Sequence, residues 1–252
     1  MTTANAATSV PREPELLGQT VVVIGGSAGM GFETARRARS EGADVVLTGR
    51  DPDRLEHAAL ELAARSSAAF DVNDAAALGQ FFADLPTPID HVMLTGPGPR
   101  YAPPLQMDAE EARAAVSEHM ALALAVARNA AGRVRPGGTL LFIGGTGGRR
   151  IRPGLAIVSA VTVAMPALTA SLALELAPIR VNLVAAGFVD TPLSASLLGN
   201  DLERRREELR AKLPVGRVIG PADIAALAVH LMTNTAITGA TYDIDGGQQL
   251  VE

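Results

Sequence analysis

The chain has 252 residues, 48% of them hydrophobic, and a formal net charge of −5. That length and apolar content suffice for a sizeable core, and the acidic balance argues against nucleic acid or an anionic membrane surface as a partner. Cysteine is absent, which excludes disulfides and thiolate metal sites.

Residues 1–16 are rich in Ala, Thr and Pro, with neither a basic leader nor an apolar stretch. They read as a flexible tail ahead of one domain at 17–252. No uninterrupted apolar run approaches the ~20 residues of a membrane span, so a cytoplasmic setting and no membrane partner are expected. Short apolar runs predict strands at Thr20–Ile24, 44–47, 91–94, 139–143, 180–184 and Thr241–Ile244, with a weaker candidate at 67–70. The inner runs show little polar alternation, as strands covered on both faces do. Amphipathic stretches predict helices at 30–40, 52–64, 75–82, 108–134, 155–177, Leu202–Lys212 and 221–232. Alternation of the two calls for a single α/β domain, a doubly wound, Rossmann-type parallel sheet flanked by helices.

The first predicted strand runs into Gly25-Gly26-Ser27-Ala28-Gly29-Met30-Gly31 and then a helix. Glycines there let the backbone turn tightly, and a helix N-terminus offers unpaired N–H groups to a pyrophosphate. Strand two ends in Leu47-Thr48-Gly49-Arg50, with no acid before Asp51. An acid at that point would bind the ribose hydroxyls of NAD(H), whereas Arg50 can offer a planar fork to the 2′-phosphate of NADP(H). NADP(H) is favoured over NAD(H); the alternative is a surface Arg50 paired with Asp51 or Asp53.

The G-x-x-x-G-x-G spacing resembles the short-chain dehydrogenase/reductase family, and so do Arg180-Val181-Asn182, the stretch from Ala185 to Pro192, and Asp243-Ile244-Asp245-Gly246-Gly247. The resemblance covers about 18–251. It implies cofactor contacts from Gly25, Ser27, Gly29, Met30, Gly31 and Arg50, and from Asp71 and Val72 at the adenine. Thr95 and Gly96 would line the cofactor after strand four, and the Val189 backbone and Thr191 hydroxyl would hold the nicotinamide end. Asp71 could instead cap the next helix. Family members are commonly dimers or tetramers, built through the helices near 109–134 and 155–176.

The departures from that pattern cluster in one place. Where the family carries its catalytic Ser, Tyr and Lys, this chain has Gly145, Val158 and Thr162, and the structural Asn falls on His119. In the family the Tyr exchanges a proton with the substrate oxygen, the Ser positions that oxygen and the Lys lowers the Tyr pKa. Val158 can do none of this. The two tyrosines, Tyr101 and Tyr242, and the one lysine, Lys212, lie elsewhere. Three side chains remain as substitute acids or donors. Tyr101 sits in a proline-flanked loop, His119 takes the Asn position, and Thr146 neighbours the missing Ser. Each has a structural alternative, as a packing plug, a backbone hydrogen-bonder or a turn cap. Arg149, Arg150 and Arg152 are either a carboxylate clamp or solvated charge. His57, His91 and His230 show no metal-ligand spacing, and no metal is expected. Two functions follow: an NADP(H)-dependent oxidoreductase acting on a carbonyl, alcohol or enone with atypical catalysis, or a non-catalytic NADP(H) sensor or scaffold.

Overall fold

The computed structural model describes residues 13–96, 98, 103–149 and 151–251. Seven strands, β1 (Thr20–Ile24), β2 (Asp44–Gly49), β3 (Ser66–Ala69), β4 (Ile89–Thr95), β5 (Val134–Gly145), β6 (Arg180–Ala186) and β7 (Thr241–Ile244), form one sheet. Their order is β3-β2-β1-β4-β5-β6-β7, and all pairings are parallel. The helices are α1 (Gly29–Ser40), α2 (Pro52–Glu61), α3 (Ala75–Asp84), α4 (Ala109–Ala130), α5 (Ala156–Glu175), α6 (Pro192–Leu198), α7 (Leu202–Lys212), α8 (Pro221–Thr233) and α9 (Gln248–Val251).

Side-chain alternation along the strands splits the core in two. Val22, Ile24, Leu140 and Phe142 face a cluster with Leu78, Phe82, Leu122, Val126 and Leu172 from α3, α4 and α5. Val21, Val23 and Leu141 face the other cluster, with Ala35, Leu55, Ile224 and Val229 from α1, α2 and α8. Between β1 and β4 the strand order reverses, and in such sheets ligands bind beyond the carboxyl ends of the strands at that point.

Several boundaries differ from the sequence expectation. The helix expected over 108–134 stops at Ala130, Gly132 takes a φ of +76°, and Val134 already belongs to β5. A left-handed glycine at that point ends the helix. Asp108 starts α4 as a capping box, accepting from the amides of Glu110 and Glu111 at 2.9 and 2.8 Å. The helix expected over 52–64 ends at Glu61. The helices α6 and α9 are additional, although Thr191-Pro192 is a cap-and-proline start signal: the Thr191 hydroxyl accepts from the Ser194 amide at 3.2 Å.

Leu16, expected in the tail, is fully buried, and its amide donates to the Glu41 carbonyl at 3.0 Å. Anchored packing therefore begins before residue 17. One helix, α5, is long and apolar enough by length and composition to cross a membrane, contrary to the expectation drawn from uninterrupted runs. Ser159, Thr162, Pro166, Thr169 and Ser171 interrupt its apolar residues, which hides it from a count of consecutive ones. It lies on the sheet with Met165, Leu172 and Ala173 in the core.

Candidate functional site

The loop from Gly25 to Gly31 is built by close approach. A Cβ on Gly25, whose φ is +87°, would lie 2.1 Å from the Thr95 hydroxyl, and one on Gly31 would lie 2.2 Å from the Gly25 carbonyl oxygen. Neither contact is sterically possible, so both positions require glycine. Gly29 needs its freedom for a different reason, a φ of +56° where α1 begins. Thr95 holds this arrangement from β4: its hydroxyl donates to the carbonyls of Ile24 at 2.9 Å and Gly25 at 3.2 Å. The helix that follows has no side-chain cap at Ala28 and no acid in its first turn. Its opening N–H groups and partial positive charge are left for an anion.

Beside the loop, a Cβ on Gly49 would sit 3.0 Å from the Ser27 hydroxyl, so Ser27 lies against the end of β2, where Gly49 precedes Arg50. Arg50 is exposed and has no ion pair among the described residues. The alternative partner Asp51 is committed elsewhere. It caps α2, accepting from the Arg54 amide at 3.0 Å, and pairs with the Arg54 guanidinium at 3.3 Å. Asp71 does not cap α3. That place is taken by Asp74, which accepts from Ala76 and Ala77 at 2.9 and 3.1 Å. Asp71 instead accepts from the Asn73 amide at 3.0 Å in an Asx turn. Val72 packs, partly buried, against the core.

From the loop the site continues as a cleft of about 490 Å3. It brings together Met30, Gly96, His119, Thr146, Val189 and Thr191, all expected at the site, and the three departures Gly145, Val158 and Thr162. A Cβ on Gly29 would lie 3.5 Å from Thr191, so the phosphate loop and the start of α6 are in contact. His119 on α4 stands beside Gly96, 3.9 Å from a Cβ built there. Thr146 is buried at the end of β5, where its amide donates to the Ala186 carbonyl at 2.9 Å. The Thr162 hydroxyl donates to the Val158 carbonyl one turn earlier at 2.6 Å, and it neither replaces the lysine charge nor points a donor at a ligand. Tyr101 lies outside the described residues.

The arginine run does not act as one clamp. Arg149 binds Asp243 through both terminal nitrogens, one of them 2.7 Å from Oδ1, and also reaches the Gln249 side chain at 2.9 Å. Arg152 is exposed, and Arg150 lies outside the described residues. Sequence reasoning missed other lining groups. Gln248 accepts the Phe188 amide at 2.8 Å and enters the cleft from α9. Leu193 and Leu197 come from α6, and Arg205 comes from α7. The legible signal was the Thr191-Pro192 helix start; Gln248 is placed by the paired left-handed glycines Gly246 and Gly247, at φ +66° and +85°. Asp190, next to Val189, receives Arg206 of α7 at 2.7 Å, which ties the segment over the cleft to the loop at its base. Among the described residues no group of His, Asp and Glu is arranged to hold a metal ion.

Comparison with known proteins agrees with this geometry. The family described as enoyl-(acyl carrier protein) reductase matches residues 25–249. The short-chain dehydrogenase/reductase malC of Malbranchea aurantiaca is 27% identical, with 93% of this chain and 96% of that protein aligned. The structure of the MalC reductase/Diels-Alderase from the same organism superposes with a TM-score of 0.87 at 25% identity, covering 94% and 99% of the two chains. That of BdcA in complex with NADPH gives 0.81 at 25% identity, covering 92% and 95%. With its sheet order, its glycine loop and this match along nearly the whole length, the chain belongs to the short-chain dehydrogenase/reductase family of oxidoreductases.

Proposed function

We propose that the protein is an NADP(H)-dependent oxidoreductase whose proton transfer does not run through the family's Tyr and Lys. The observation that carries the cofactor choice is Arg50, exposed and without an ion pair among the described residues, following Gly49 at the end of β2 where Ser27 packs, with Asp51 consumed by α2 and Arg54. A carboxylate at that point would repel a 2′-phosphate, whereas a guanidinium can bind it through paired hydrogen bonds. The site fits the group elsewhere too. The uncapped, acid-free start of α1 suits a pyrophosphate, and Gly29, at φ +56°, opens that helix without a side chain. The resemblance to a protein whose structure contains NADPH supports the same choice.

In this reading Gly25, Ser27, Gly29, Met30 and Gly31 hold the phosphates with Arg50, while Asp71 and Val72 flank the adenine. Gly96, beyond the Thr95 brace, and the Val189 and Thr191 segment take the nicotinamide end. Bound there, the cofactor supplies or accepts hydride. What this chain's residues add is positioning and a proton. His119 and Thr146 line the same cleft as Gly145 and Val158, and they are the described side chains with an exchangeable proton at the places the sequence singled out. His119 is the candidate general acid, a role that contributes ~10²–10⁴-fold, and Thr146 a hydrogen-bond donor to the substrate oxygen.

The test is a titration with NADPH and NADH by calorimetry and nicotinamide fluorescence. NADPH binds about tenfold or more tighter than NADH, as a charge-assisted hydrogen bond of ~1.5–3 kcal/mol requires. Arg50→Ala erases that preference and leaves NADH unchanged, while Gly29→Asp abolishes both. Equal affinity for the two nucleotides, or a preference that survives Arg50→Ala, refutes the assignment.

A further inference from the structure

The cleft does not stop at the residues that would face a nicotinamide. Its lining continues inward to Leu122 and Ala123 of α4, Phe142 of β5, and Val161 and Met165 of α5. These are core residues, with exposures of 4, 0, 1, 6 and 5%. They form the closed apolar floor of the cleft, where two helices meet the sheet. Val158 and Thr162, where the family resemblance leads one to expect the larger Tyr and Lys, lie on its wall. The short side chains thus have a second consequence besides the loss of a proton relay: they leave room.

That room is apolar. Thr162, the polar group nearest its depth on α5, has its hydroxyl turned to the Val158 carbonyl at 2.6 Å. The other polar lining groups, among them His119, Thr146, Arg205 and Gln248, come from the cleft's remaining walls and from the segments that cover it. A charged or strongly polar group placed against Leu122, Phe142, Val161 and Met165 would lose its hydration with nothing to replace it. An uncharged ring or branched hydrocarbon would lose nothing and would fill a space that water occupies poorly.

We propose that this pouch binds the uncharged apolar part of the substrate, an aromatic or branched hydrocarbon group, with the reacting polar end held at the His119 and Thr146 rim. The substrate class is therefore a bulky hydrophobic organic molecule and not a small hydroxy acid or sugar. Only the word substrate rests on the NADP(H) reading; occupancy of the pouch does not.

The experiment is a fluorescence titration of the nucleotide-free protein with N-phenyl-1-naphthylamine, an uncharged apolar probe. One saturable site per chain is expected. Val158→Phe and Thr162→Met, which fill the pouch from two positions, should each weaken binding at least about tenfold, the usual discrimination of a hydrophobic pocket. Thermal unfolding confirms that each variant is folded, and two variants guard against the loss of one. Leu60→Glu alters an exposed position on α2 that does not line the cleft and should leave the titration unchanged. Absence of a saturable site overturns the proposal, and so does binding that survives both filling variants or is lost only in Leu60→Glu. The NADPH titration above reads the nucleotide site separately, so either assignment can fail without the other.

Discussion

Acidification should destabilise this protein in part through His91. It lies in β4 with 1% exposure. Its Nε2 is 2.8 Å from the Gln19 Oε1; an amide oxygen only accepts, so Nε2 carries the proton. The second ring nitrogen, Nδ1, is buried with no hydrogen-bond partner among the described residues, so a second proton has nowhere to donate. Burial pushes the His91 pKa down to about 3; Asp90 opposes the shift, and Arg135 and Arg180 add to it. In the unfolded chain the value returns to ~6.5. Between about pH 3 and 6.5 the unfolded state therefore binds one more proton than the native state, and stability rises with pH in that window. The contribution is complete above pH 6.5 and is lost as the pH falls toward 3. At ~1.4 kcal/mol per pH unit, lowering the pH to 5 removes about 2 kcal/mol and lowering it to 3 roughly 5. Urea unfolding at pH 7 and pH 5 measures the effect, with His91→Leu as the reference. The variant keeps a partner for Gln19, because Arg135 reaches the same oxygen at 3.4 Å, and it shares every other titrating group with the parent. The parent should lose about 2 kcal/mol more than the variant between the two pH values. Equal losses would refute the reasoning, since His91 would then not be held neutral by the fold.

Two further outcomes are expected. Arg180, 6% exposed, donates to the carbonyls of Gly137, Leu231, Met232, Asn234 and Ile237 and to the Thr139 hydroxyl, so it closes the C-terminal end of α8. Arg180→Leu strands those acceptors in the interior and should cost roughly 3 kcal/mol or more, seen as a lower Tm with the nucleotide titration otherwise intact. The exposed side chains Val116 and Leu124 on α4 and Val163 and Leu174 on α5, at 44, 43, 60 and 82% exposure, offer the surface through which the family resemblance implies assembly. We propose that a second copy covers it. Light scattering should then give at least twice the 26.0 kDa of one chain, and Val163→Glu with Leu174→Glu should return it to a single chain.

Much of the fold is legible in the sequence because its signals are local. Apolar runs such as Val21–Val23 and Leu140–Phe142 are strands covered on both faces, and the Gly25–Gly31 spacing is a backbone requirement that any observer of the chain can read. The weak run near 67–70 proves to be the edge strand β3, Ser66–Ala69, whose small, mostly exposed residues give little periodicity to detect. The scarcity of candidates is likewise read directly, since the chain has only two tyrosines and one lysine to be located.

What only the tertiary structure decided is where side chains spend their hydrogen bonds and what space they leave. Asp71 and Asp74 are equally plausible caps by type, and geometry gives the place to Asp74. Arg149 and Arg50 are alike as charges, yet one is held by Asp243 and the other has no ion pair among the described residues. Gln248 reaches the cleft because Gly246 and Gly247 turn the chain back on itself after β7, a meeting across 60 residues with Phe188 that no local pattern encodes. Composition and periodicity fix which elements form, because those preferences act over a few residues. Which side chains floor the cleft behind Val158 depends on how α4, α5 and β5 pack together, and that is settled only when the whole chain has folded.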